Sequence, residues 1–240
     1  MASTTPTPTP PMVLVRTTLP PRPMPPNSER APIKTARLVL RPLVDADLDG
    51  MHRLRTQAEA MTGTMRGVPD TSIAETQKAM EFFLPPHDAE QFLFGIFWQA
   101  TGELIGEGGV HNLESGSSGW PEIGYKLRKE FWGMGVGSEF LAALVEAWWR
   151  LPGREQVVRR VHRDSCVPAI PRSQQEGEPV DVVEQVYANT DWDNYGSQKV
   201  LGKTGFRKFT EWTEPETRVN LQGQTSRLFG YCLARPDQGP

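Results

Sequence analysis

Cysteine is almost missing from this 240-residue chain: Cys166 and Cys232 are the only two. A disulfide scaffold needs more than that, so the expectation is a reducing compartment, with a cytoplasmic location. Histidine is scarce too. His52, His87, His111 and His162 are scattered without metal-ligand spacing, and no bound metal is expected. No apolar run approaches the roughly 20 residues that span a bilayer, so no membrane partner is expected. A formal net charge of −3 supplies no broad cationic field, which argues against nucleic acid or anionic lipid as a partner.

What the chain does have is organised. Residues 1–32 are rich in proline and threonine and carry no acid before Glu29, a composition that predicts an extended, mobile tail. A transit peptide also lacks acids, but these prolines would break its amphipathic helix. From Ile33 to Pro240 the pattern is that of one globular domain. "TARLVLRPL" alternates as a strand. "DADLDGMHRLRTQ" follows as a helix with Asp45 as N-cap, and "SIAETQKAMEFFL" as a second, opened by the capping-box pair Ser72 and Glu75. "QFLFGIFWQ" and "ELIGEGGVHNL" read as a hairpin about Thr101-Gly102, and "PEIGYKL" as a further strand.

Glycines at 133, 135 and 137 then precede a helix whose Phe140, Leu141, Leu144, Val145, Trp148 and Trp149 recur at helical spacing as a core stripe. Residues 152–184 are polar and proline-punctuated, and read as an inserted loop. "QVYANT" restores a strand, "DNYGSQKVLGKTG" a helix capped by Asp193 or Asn194 and stopped by Gly205, and "FRKFTEW" and "SRLFGYCLA" two closing strands.

Alternating glycines before a long amphipathic helix suggest bare peptide N–H groups converging on an anion, with the helix dipole favouring a pyrophosphate. Arg128 and Lys129, just upstream, could add cationic steering. Other nucleotide motifs fail. A dinucleotide fold needs G-x-G-x-x-G after the first strand of a βαβ unit, whereas here the spacing is G-x-G-x-G, late in the chain. "GKT" at Gly202 to Thr204 closes a helix, and the place of the P-loop's first glycine is held by Ser197.

"IGYKLRKEFWGMGVGSEFL" and "VYANTDWDNYGSQKVLGKTGF" resemble the acetyl-CoA loop and the following strand-helix unit of the GCN5-related N-acetyltransferases (GNAT), nearest the branch of the RimJ and RimL ribosomal-protein acetyltransferases. The resemblance covers roughly residues 33–234. It implies an α/β (α+β) fold: a mixed, mostly antiparallel twisted sheet of about seven strands, helices on both faces, and a splay between the fourth and fifth strands. It implies acetyl-CoA as co-substrate and a primary amine as acceptor, attacked in a ternary complex, in a monomer or homodimer. In the family's Q/R-x-x-G-x-G/A loop, Trp132 holds the Gln/Arg place, removing one polar contact, and Gly135 and Gly137 follow. By resemblance the cofactor site comprises Leu127, Arg128, Trp132, Gly133, Met134, Gly135, Val136, Gly137, Ser138 and Asn194. Backbone groups from Met134 to Ser138 hold the pyrophosphate, while the Leu127 main chain and the Asn194 side chain hold the pantetheine arm from opposite sides.

The chemistry needs a proton acceptor for the amine, and Glu122, on the strand bordering the cofactor, is the first candidate, Glu107 the second. Many relatives carry a tyrosine acid seven residues after the helix asparagine, but Leu201 stands there. Ser197 matches a serine used near the departing sulfur in the RimL-like branch. The alternative reading is a non-catalytic acyl-CoA-binding or scaffold protein whose proline-rich tail recruits a partner.

Overall fold

The computed structural model describes residues 11–173 and 177–236. In chain order its elements are β1 (Met12–Leu19), β2 (Ile33–Lys34), β3 (Leu38–Arg41), α1 (Leu48–Arg55), α2 (Ala58–Met61), α3 (Ile73–Met80), β4 (Phe92–Trp98), β5 (Glu103–Asn112), β6 (Glu122–Leu127), α4 (Val136–Trp149), β7 (Glu155–His162), β8 (Val180–Asp181), β9 (Gln185–Asp191), α5 (Tyr195–Lys203), β10 (Arg207–Pro215) and β11 (Thr225–Ala234). Among the described residues the main sheet has eight strands, one more than expected, in the order β10-β11-β9-β6-β5-β4-β3-β2. The addition is the two-residue β2, paired with β3 through Ile33↔Leu40 and Lys34↔Val39. Every pairing in this sheet is antiparallel except that of β6 with β9.

Period-two alternation divides β4 between two cores, which is why helices cover both faces. Phe92, Phe94 and Ile96 pack with Phe140, Leu141, Leu144 and Trp148, the stripe along α4. Leu93 and Phe97 point the other way, onto Met51 and Leu54 of α1 and Met80 of α3. Each such side chain taken out of water contributes about 1.5–3 kcal/mol.

The helix starts need one correction. Asp45 opens a 3-10 turn and does not cap α1; the Asp47 carboxylate instead accepts the Val44 N–H (2.9 Å) and pairs with Arg41 (2.7 Å). Ser72 caps α3 as expected, its hydroxyl accepting the Glu75 N–H at 3.3 Å. The Glu75 carboxylate reaches back to the Thr71 N–H (2.8 Å).

A larger correction concerns the expected tail and loop. Residues 1–10 lie outside the described residues, but β1 pairs antiparallel with β7 from Met12↔His162 to Leu19↔Glu155, and parallel with β8 at Val15↔Val180. Residues 152–184, of which 174–176 lie outside the description, thus supply two strands of a second, three-stranded sheet, β7-β1-β8. Val13, Val15, Val161 and Val182 bury one face of it against Trp120, Cys166, Ile170 and Tyr187. The prolines flank β1 instead of interrupting it, so its ladder is intact. The chain after β1 is anchored as well. The buried Arg30 guanidinium donates to the carbonyls of Pro25, Asp88, Gln91 and Leu93, satisfying groups the interior would otherwise orphan.

Candidate active site

Strands β6 and β9 share one residue pair, Glu122↔Tyr187, beside a hydrogen bond from the Tyr187 N–H to the Pro121 carbonyl (2.8 Å). No further ladder pair joins them among the described residues, which is the splay the resemblance implied. On its other edge β6 is bonded to β5, and the Arg128 N–H extends that ladder to the Ile105 carbonyl at 2.8 Å. Antiparallel ladders alternate, so the main-chain groups of Leu127 and Tyr125 face away from β5 and into the opening.

At the open end of β6 the chain turns sharply into α4. Gly133 (φ +72°) and Gly135 (φ +79°) both adopt the left-handed conformation that a Cβ disfavours. Nothing lies within 4 Å of where a Gly133 Cβ would stand, so the space above it is open. Gly137 differs: its Cβ would stand 3.1 Å from Val200 Cγ2 and 3.6 Å from the Tyr125 ring, so this glycine lets α4 approach α5 and β6. The first turn-closing bond of α4 runs from the Glu139 N–H to the Gly135 carbonyl (3.1 Å), which leaves the N–H groups of Val136, Gly137 and Ser138 without a helical acceptor.

The side chains around this turn are tied down. The Trp132 indole N–H donates to the Leu127 carbonyl at 2.9 Å, so the residue in the family's Gln/Arg place still supplies a polar contact, made within the protein. The Arg128 guanidinium is bound by Glu103 and by Glu130 (2.9 Å), and the Lys129 amine by Glu59; neither is the free cation that steering would need. The guanidinium beside the turn is that of Arg37. It donates to the Met134 carbonyl (2.8 Å), and its Nη2 lies 3.5 Å from the place of a Gly135 Cβ. Glu139, in the first turn of α4, accepts the Thr35 hydroxyl (2.5 Å), the Arg37 N–H (2.9 Å) and the Arg37 Nε–H (2.7 Å). Burial pushes its carboxyl up, but these bonds outweigh it and hold the group below the usual range. Sequence reasoning missed Arg37 and Glu139, since the pairing joins positions about a hundred residues apart.

Across the opening, Asn194 caps α5, its side-chain oxygen accepting the Ser197 N–H at 3.0 Å. Its amide NH2 has no acceptor among the described residues. Ser197 lies half-buried in the first turn of α5, beside the Tyr125 phenol, which burial pushes up while a hydrogen bond with Ser197 opposes the shift. Leu201 is buried in the core and Tyr195 points to solvent.

On the opposite face of the sheet, at the vertex of the splay, Glu122 is half-buried and accepts the Asn189 amide at 2.7 Å. Burial pushes its carboxyl up; a hydrogen bond from Ser115 opposes this, and the charge of Glu214 adds to it. Glu107, the second candidate, is buried and paired with Lys126 on the same face, so its charge is already matched. Asn189 and Tyr187 lie in the strand-helix stretch that carries the family resemblance, but nothing local marks a role for them there, because only the strand pairing brings them to Glu122.

This fold and geometry are those of an acyltransferase. Residues 37–207 match the family model of the acetyltransferase (GNAT) domain. The chain therefore belongs to the GNAT family and is an acetyl-CoA-dependent acyltransferase. Among solved structures, the acetyltransferase (GNAT family) from Bacillus anthracis is similar with a TM-score of 0.58 and 16% identity, over 85% of this chain and 98% of that one. The ribosomal-protein-S5-alanine acetyltransferase from Vibrio fischeri gives 0.56 and 13%, over 88% and 100%. AAC(6')-Ib in complex with ribostamycin and coenzyme A gives 0.52 and 17%, over 82% and 93%. At these identities the likeness carries the fold. Among the described residues no helix is long and apolar enough to cross a membrane.

Proposed function

We propose that the chain transfers the acetyl group of acetyl-CoA to a primary amine by direct attack within a ternary complex, in the manner of the RimJ/RimL-like branch. The observation that carries this reading is the β6 edge left unpaired beyond Glu122, leading directly to the open N-terminus of α4. The residues present fit the co-substrate. Amides from Met134 to Ser138 receive the pyrophosphate where the dipole favours negative charge, with Gly133 and Gly135 shaping the turn. Leu127, its carbonyl held by Trp132, offers its N–H to the pantetheine arm, and the free Asn194 amide donates from the other side. Arg128 and Val136 serve indirectly, one bracing the strand end through Glu103 and Glu130, the other anchoring the helix start in the core.

Glu122 takes the proton from the acceptor ammonium, its raised pKa suiting a base that must release the proton again. The neutral nitrogen then bonds to the thioester carbon, the carbon–sulfur bond breaks, and the thiolate departs with the electron pair. Ser197 is the hydroxyl assigned to protonate that sulfur, and the second proton shed by the nitrogen as it becomes an amide passes through solvent to restore the hydroxyl. Orienting two bound reactants supplies much of the acceleration.

Calorimetric titration with acetyl-CoA, followed by thiol release in the presence of an amine panel, tests the reading. Binding in the low micromolar range or tighter with amine-dependent thiol release is expected; no binding refutes it.

A further inference from the structure

Carboxylates held against a protein surface are usually matched by cations, and those around the face carrying Glu122 follow the rule. Glu107 is paired with Lys126, Asp70 with Arg55 (2.6 Å), and Asp191 with Arg218 (2.8 Å). Two acids depart from it. Among the described residues neither Glu122 nor Glu214 has a cationic partner; Glu122 is bonded by the Asn189 amide and the Ser115 hydroxyl, and Glu214 by the Trp212 indole.

Register puts both on one face of the sheet. Asn189 lies opposite Gly230, Asp191 opposite Leu228, and Leu228 opposite Trp212, with Glu214 opposite Ser226. Directly opposed side chains point the same way and residues two apart share a face, so Asn189, Trp212 and Glu214 line the surface that Glu122 overlooks. Between them Gly230 has no side chain to stand in the way. A Cβ there would stand 2.7 Å from the Thr210 methyl and 3.3 Å from both the Trp212 and the Tyr187 rings, so this glycine lets the three groups close over the backbone. Trp212 Nε1 donates to Glu214 Oε2 at 2.8 Å and fixes the carboxylate beside the indole. The Glu214 charge is near enough to reach the Tyr187 phenol, which burial foremost and then the charges of Glu122 and Glu214 push up.

We propose that Glu214 and Trp212 determine acceptor specificity: they seat a second positive charge on the acceptor, so that the preferred substrate carries a cationic group besides the amine that is acetylated. The inference rests on the acetyl-transfer reading above. A carboxylate lacking an internal cation, bonded to the edge of an indole, attracts an ammonium or guanidinium by charge, and a cation it holds over the ring is drawn by the quadrupole as well. A linear diamine and a peptide bearing lysine or arginine near its N-terminus share that chemistry.

The test is steady-state kinetics with paired acceptors: linear diamines of three to six carbons against monoamines of equal length, and peptides with lysine against glutamine at the second and third positions. The dicationic member of at least one pair is expected to have a kcat/KM about tenfold higher, mostly through KM, with the advantage shrinking as salt rises. Glu214→Gln should bring the ratio within about twofold of one, and Glu214→Lys should invert it. The peptide and diamine arms tell the two sources apart. Wild-type protein that acetylates both members of every pair equally, or a preference that survives Glu214→Gln, overturns this inference and leaves acetyl transfer standing. Failure to bind acetyl-CoA by calorimetry removes both.

Discussion

Asn189 on β9 donates its side-chain amide to Glu122 on β6 at 2.7 Å, spanning the one place where those strands touch. The bond sets the carboxylate at the closed end of the splay, on the face opposite α4 and α5. Burial, more than any neighbouring charge, raises its pKa. A base must be ionised to act, so kcat/KM should rise with pH through a value above the roughly 4.3 of an ordinary glutamate. Glu122→Gln is expected to lower kcat by about 10²–10⁴-fold and abolish that limb of the pH profile, with acetyl-CoA affinity by calorimetry little changed. Wild-type kcat in this variant would assign proton removal elsewhere.

The glycines before α4 should separate into two behaviours. Gly135→Ala forces an L side chain to φ near +79°, at a cost of about 1–2 kcal/mol. It should weaken acetyl-CoA binding by an order of magnitude or so, because the turn that aims the amides must relax. Gly137→Ala meets Val200 at 3.1 Å, so its main effect should be a lower melting temperature, with the smaller loss of affinity. Calorimetry beside thermal unfolding distinguishes them.

Trp132→Phe retains the ring and removes the donor to Leu127. Because the indole is half-exposed and water can replace it, the loss of stability should stay within about 1.5 kcal/mol. The KM for acetyl-CoA should nevertheless rise several-fold, since the freed carbonyl no longer fixes the end of β6. An unchanged KM would mean that this strand end does not touch the co-substrate.

Val15 is fully buried at the centre of the small sheet. Val15→Asp places an unpaired carboxylate there and is expected to cost 3 kcal/mol or more, measured by urea unfolding. Deleting residues 1–19 should likewise lower the melting temperature and expose Trp120 to quenchers. A tail without structure would tolerate both changes.

Local patterns were legible in the sequence. Six apolar residues at helical spacing mark α4, Ser72 marks the start of α3, and the glycine turn with Asn194 marks the open ends of the splay. What escaped is nonlocal. "MVLVRTTL" alternates as plainly as any strand in the chain, yet its partner lies some 140 residues away, and the surrounding prolines dominated the composition. The same reason hid the link between Arg37 and Glu139, and the meeting of Glu122, Asn189 and Trp212 on one face. The candidate base was visible because it sits on a recognisable strand; its environment was not, since β9, β10 and β11 supply it.

The pairing of β1 with β7 has a consequence for synthesis. Strand β1 has its antiparallel partner at Glu155–His162, so more than half the domain must emerge after it before Val13, Val15 and Leu19 can be covered. During that interval they form a sticky nascent segment, of the kind that chaperones shield. A chain in which that ladder fails to close keeps an apolar strand exposed beside an otherwise folded enzyme, and is unfit to survive quality control.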